Sequence, residues 1–152
     1  MILPPERLQC LRLSRLTAQT IPTITSTLII YDIPSNIDVD KGTYKYDSAT
    51  GLITFLKTGY YHATHMCSWA ASAVGNRSQV IYITDIAVNA PRDSILATNP
   101  DIISTRVFEY TFRIMNLGAS LSFKLIQTSG GNLNLNGGVN TLAASIVRLS
   151  SL

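Results

Sequence analysis

GYYHATHMCSW, Gly59–Trp69, is the stretch on which the fold class turns. In an extended chain its odd positions, Tyr61, Ala63, His65, Cys67 and Trp69, point one way. Its even positions, Tyr60, His62, Thr64, Met66 and Ser68, point the other, because side chains alternate across a strand. Both sides carry bulky groups, so neither reads as a plain solvent face. Residues 79–88 repeat the feature, with Ile81 and Ile83 on one side and Val80, Tyr82, Ile86 and Val88 on the other. From Val107 the alternation is cleaner: Phe108, Tyr110, Phe112 and Ile114 are expected to face inward, and Glu109, Thr111 and Arg113 outward.

Outward from these strands the chain is punctuated by turns. Residues 42–55 read as a hairpin, with Tyr44 and Tyr46 alternating, a turn at Asp47-Ser48-Ala49-Thr50-Gly51, and Ile53 and Phe55 resuming one face. After Asn116-Leu117-Gly118, Leu121, Phe123 and Leu125 make another inward row. Residues 129–140 form a Gly/Asn-rich tip holding Leu133 and Leu135, and residues 142–149 close the chain as a strand. Residues 25–33 read as one strand and residues 34–42 as a polar loop. Residues 8–20 fit two patterns: Leu11 and Leu13 about Arg12 suit a strand, while Leu8, Leu11 and Arg15 suit helical spacing up to the break at Pro22. The proline-marked stretch after Val88 is expected to run over the surface as a long connection.

Composition agrees with strands. Seventeen Ile, 16 Thr and 7 Val stand against 2 Glu and 4 Lys, which excludes an all-helical bundle. With 46% hydrophobic and 14% charged residues in 152, the chain is long enough to bury a core and too apolar to be disordered. No apolar run approaches the roughly 18 residues of a membrane span. The net charge of +3 is spread singly, with no basic stripe of the kind that neutralises phosphates, so nucleic acid is not an expected partner. Cys10 and Cys67 could form at most one bridge, and Cys67 reads as a small buried hydrophobe. Pro4, Pro5 and Glu6 interrupt any leader-like segment, which suits folding in a reducing cytoplasm. Residues 1–6 read as a linker or ragged start and residues 7–152 as a single domain.

Eight or nine short strands with no helix after residue 20 indicate an all-β antiparallel sandwich or jelly roll. Strands apolar on both faces require cover beyond the opposing sheet, and a neighbouring copy is the simplest supplier.

The order of motifs resembles the C1q/tumour-necrosis-factor-like jelly roll. Tyr46, Asp47, Gly51, Phe55, Gly59, Tyr61 and Trp69 match its tyrosine-rich hairpin and aromatic strand. The pattern is most similar to versions in bacteriophage tail-fibre and virion proteins and bacterial surface filaments. Arg15-Leu16-Thr17, Ile21-Pro22, Gly75-Asn76-Arg77, Gln127 to Gly131 and Ser145 to Leu149 carry that likeness. Two departures are the absence of an Asp in Leu117-Gly118-Ala119-Ser120 and the long segment between Val88 and Val107. The resemblance implies a compact homotrimer packed through broad sheet faces. Tyr60, His62, Met66, Tyr82 and Ile83 are the candidate interface residues, and Tyr61, Trp69, Phe108, Phe112 and Phe123 the candidate core.

Catalytic chemistry finds little support. His62 and His65, three apart on a strand, fall on opposite faces and cannot chelate one ion together. His65 and Cys67 share a face, but nothing else indicates an activated thiolate. No metal or cofactor is expected; calcium at the loop aspartates Asp38, Asp40, Asp93 and Asp101 is the alternative, without EF-hand spacing. Ser129-Gly130-Gly131-Asn132 lacks the Lys and helix of a phosphate loop. A sugar-binding or carbohydrate-active sandwich would use Tyr44, Tyr60 and Trp69, although alternation turns Trp69 inward. Candidate receptor-facing residues are therefore in loops: Asn36, Asp38, Asp40, Arg77, Arg92, Asp93, Asn134 and Asn136. The expected function is non-enzymatic: the trimeric head of a phage fibre, tail or head-decoration component, joined to other virion proteins through its N-terminus and able to contact a cell-surface glycan or protein. The alternative is a spore-coat or surface-filament head.

Overall fold

The computed structural model describes residues 9–34, 42–84, 92–96, 104–138 and 141–152. Their strands, in chain order, are β1 (Gln9–Ser14), β2 (Gln19–Ile21), β3 (Thr27–Leu28), β4 (Ile33–Pro34), β5 (Tyr44–Asp47), β6 (Leu52–Phe55) and β7 (Gly59–Trp69). There follow β8 (Asn76–Ile83), β9 (Arg92–Leu96), β10 (Ser104–Ile114), β11 (Ser120–Gln127), β12 (Leu133–Leu135) and β13 (Leu142–Ser150). No helix occurs among the described residues. The ambiguous segment at 8–20 resolves as strand: β1 pairs with β13 along its length, and the chain has turned into β2 before Pro22.

Two antiparallel sheets face each other. In the first, β4, β1, β13, β7 and β10 lie side by side, with β12 joining β7 at Trp69 and β2 pairing β12. In the second the order is β5, β6, β11, β8, β9, and β3 also pairs β11. The strand β7 is paired with β10 from end to end and with β13 from Tyr60 to Cys67. Its odd side chains, Tyr61, Ala63, His65, Cys67 and Trp69, are all buried between the sheets.

The core has two aromatic groupings. Phe55 packs edge-on to Tyr61 at 4.7 Å between ring centroids, and Phe112 stacks on Tyr61 at 5.9 Å. Further along, His65 stacks on Phe123 at 4.8 Å, and Tyr31 meets Phe123 edge-on at 6.2 Å. Tyr61, Trp69, Phe112 and Phe123 belong to the core, and Phe108 packs against it half-buried. His65 Nδ1–H donates to Gln79 Oε1 at 2.6 Å, while its Nε2 and the Tyr31 hydroxyl are buried without a hydrogen-bond partner among the described residues.

Three expectations change. Residues 25–33 are not one strand: β3 belongs to the second sheet and β4 to the first, so the segment crosses between layers. Ile29 and Tyr31, both fully buried, fill that crossing, which is why residues 28–31 are continuously apolar. The strand expected at 79–88 begins earlier, at Asn76, and its described part ends at Ile83. The connection after Val88 is not loop throughout, because Arg92–Leu96 forms β9 and pairs with β8. A short polar strand at a sheet edge shows almost no hydrophobic alternation, so its signal was weak.

Between β7 and β8, Gly75 has φ +80° and a Cβ there would run into the Thr128 carbonyl, whereas Gly118 has φ +84° and open space. Gly75→Ala should therefore cost roughly 2 kcal/mol or more and Gly118→Ala about 1 kcal/mol, since only the first adds a backbone clash to the left-handed conformation. Thermal melts of the two variants measure the difference; equal losses would refute the close approach. Burial pushes His65 down to about 4, against the opposing Gln79 hydrogen bond. The fold thus holds the neutral ring, and its contribution is complete above the unfolded value of about 6.5 and lost as pH falls toward 4. Urea midpoints at neutral and acid pH should show a drop of up to about 3 kcal/mol attributable to this group, shallower in His65→Gln.

Candidate functional site

Burying one side of β7 forces the other side out, and that outer surface is the most site-like feature of the molecule. Hydrogen-bonded registers align it into rows across four strands. One row runs Cys10, Val147, His62, Thr111; the next Arg12, Ser145, Thr64, Glu109; the third Ser14, Ala143, Met66, Val107. Tyr60 stands opposite Arg113 at one end. Tyr60 is 42% exposed and Val107 54%, while His62, Met66, Ala143 and Val147 are half-buried. His62 Nδ1 lies 2.9 Å from Thr111 Oγ1 along its row.

Small side chains in the middle rows leave a hollow of about 350 Å³, lined by Arg12, Thr64, Met66, Val107, Ala143 and Ser145. The backbone of β1 and β13 floors it. Nothing in it resembles a reaction centre: its ionisable lining group is Arg12, with no carboxylate or imidazole beside it. No cluster of three metal-ligating side chains occurs among the described residues.

The sequence-nominated residues divide on this geometry. Tyr60, His62 and Met66 come together on the outer face of the first sheet. Tyr82 does not join them; it lies on the outer face of the second sheet, with the Lys124 ammonium 4.4 Å from its ring centre. Ile83 is corrected outright: it is 2% exposed and belongs to the core, because the odd positions of β8 point between the sheets. For a sugar platform, Tyr44 and Trp69 are buried and Tyr60 alone is exposed, so the three cannot act together.

The loop candidates scatter. Arg77 is a second correction: it is 4% exposed on β8, and its guanidinium donates to the Ser72 carbonyl at 2.6 Å. Arg92 and Asp93 lie on β9 rather than in a loop. Asn134 is likewise on a strand, β12, exposed and accepting a hydrogen bond from the Thr20 hydroxyl at 2.8 Å. Asn136 is half-buried, its backbone N–H donating to the Ser68 carbonyl. Asn36, Asp38, Asp40 and Asp101 lie outside the described residues. The flanks of residues 35–41 lie at opposite ends of β1: Pro34 pairs with Leu13, and the Thr43 hydroxyl donates to Gln9 Oε1. Asn134 and Arg77 belong to the Trp69 end.

Several motif residues are structural locks. Gln127 is fully buried; its Nε2 donates to the carbonyls of Ile21 and Gly131, and its Oε1 accepts from Ser129 N–H at 2.6 Å. Arg15 donates to the Ile30 carbonyl at 2.7 Å and pairs with Asp32, which also accepts from Leu16 and Thr17 N–H.

This topology defines a tumour-necrosis-factor-like jelly roll. Among solved structures, the chain is similar to the Eiger TNF from S. frugiperda, with TM-score 0.66 and 11% identity, covering 95% of this chain and 94% of that one. It is similar also to murine APRIL at pH 8.0, with TM-score 0.67 and 12% identity over 94% of this chain and 100% of the other. No family model matches the sequence, and no curated protein does.

Gln127→Leu should cost about 2–3 kcal/mol, because it strands two carbonyls and an amide in a buried corner. Its oligomeric state should match that of the unaltered chain. Chemical denaturation and light scattering on one sample separate the two readouts; a changed assembly would make Gln127 part of the interface.

Proposed function

We propose that this chain is a non-enzymatic, self-associating structural head: a homotrimer of jelly rolls packed through the outer face of the first sheet. The observation that carries it is the set of exposed and half-buried apolar groups, Tyr60, Val147, Met66 and Val107, on that face. A sheet face left in this state in a monomer would be a liability, and a second copy removes it. The likeness of motif order to phage fibre and virion heads supports placing the trimer at the tip of a fibre, tail or head-decoration component. There it would cap the particle and present its loops to a host-surface glycan or protein.

Light scattering of the full chain should give three times the 16.6 kDa chain mass at micromolar concentration. Val107→Asp places a carboxylate on the β10 side of the face without touching the core, and should lower the assembled fraction at least tenfold while leaving the far-ultraviolet dichroism unchanged. A stable monomer in the unaltered chain would end the reading. Labelled antibody binding to intact particles in electron micrographs tests the fibre placement; absence of label from purified virions would exclude it.

A further inference from the structure

The outer face of the first sheet carries an ordered pair of charges. Along one cross-strand row stand Arg12 on β1, Ser145 on β13, Thr64 on β7 and Glu109 on β10. Three strand spacings of about 4.8 Å put the two charges about 14 Å apart within one copy. That distance exceeds the reach of a direct ion pair and the Debye length of about 8 Å at physiological salt. Arg12 and Glu109 are both exposed, and neither makes an ion pair among the described residues. Arg113, the other charge facing outward on β10, is four residues from Glu109, roughly 13 Å along the strand. Glu109 is therefore the lone carboxylate among the described residues of these rows, and Arg12 is the cation at the far margin of the same row.

A cyclic trimer uses a heterologous contact, in which one side of each copy meets a different side of the next. Opposite charges at opposite margins of one row suit such a contact. Resting on the self-association reading above, we propose that Arg12 pairs with the partner subunit's Glu109, three times around the ring, and that this pair sets the rotational register of the trimer. The hollow beside Arg12, with Ser145, Thr64 and Ala143 on its walls, leaves room for the approaching β10 of the second copy. Electrostatic complementarity of this kind acts chiefly on orientation and on rejection of wrong registers.

The test uses the full chain and the variants Arg12→Glu, Glu109→Arg and the double Arg12→Glu/Glu109→Arg. Native mass spectrometry and light scattering over a dilution series give the concentration at which half the trimer has dissociated. Each single reversal should raise that concentration about tenfold or more at low salt, by bringing like charges together. The double reversal should return it to within about threefold of the unaltered chain. An equimolar mixture of the two single variants should recover only in part, because complementary copies cannot alternate around a ring of three. Single variants that dissociate as the unaltered chain does, or a double variant no better than the worse single, would overturn the pairing while leaving the trimer intact. Full recovery of the mixture as dimers would overturn the ring geometry. An unaltered chain that is monomeric throughout would instead defeat the self-association reading itself. Unchanged far-ultraviolet dichroism of the dissociated variants confirms that the effect lies between copies.

Discussion

The two-residue period of β7 is the constraint on which the remainder depends. Five of its side chains must enter the space between the sheets, and Trp69, Tyr61 and His65 are too large to be accommodated anywhere else in that space without repacking it. Pairing with β10 along its whole length, and with β13 over most of it, holds that choice. A slip of one residue would send Tyr60, His62 and Met66 inward and expose Trp69. The outer face is thus the other half of a decision made by the core.

How legible each part was depends on whether its signal is local. The alternation of β7 and β10, and the turn at Asp47 to Gly51, are written in neighbouring residues. In that turn the Asp47 carboxylate accepts from Ala49 N–H and the Thr50 hydroxyl, which holds its pKa below the ordinary carboxylate range, and Gly51 N–H returns to the Asp47 carbonyl. By contrast, the crossing at residues 29–31 reads as an uninterrupted strand because both layers want apolar groups there. Ile83 looks like Tyr82's equal in a run apolar on both sides, and only the depth of the second sheet separates them. Arg77 carries a charge that suggests surface, yet its neighbours wrap its guanidinium, and no sequence window of a few residues contains that wrapping. The outer-face rows join residues more than a hundred positions apart, so the Arg12–Glu109 alignment exists only once registers are known.

The motif residues that made the chain familiar turn out to hold backbone together rather than to form a surface. Gln127 ties three segments at one corner, Gly75 admits the Thr128 carbonyl, and Arg15 binds the Ile30 carbonyl and pairs with Asp32. Alternation and backbone locks of this kind can be satisfied by many side-chain sets, which is compatible with a shared architecture at 11–12% identity. Function is left to surfaces that the locks do not specify.

The arrangement of polarity on the outer face argues for a protein partner over a small ligand. Ligand clefts converge polar groups on a concave centre, where they orient a substrate. Here the centre is Thr64, Ser145, Ala143 and Met66, small or apolar, and the charges stand on the outer strands of the rows, β1 and β10. That order, apolar within and charged at the rim, is the anatomy of an interface between chains. Marginal charges remain partly hydrated on association, so they escape most of the desolvation cost that a central pair would incur while still favouring one orientation. A sheet that must expose one face to bury the other has, in this chain, exposed the face on which the proposed contact with a second copy rests.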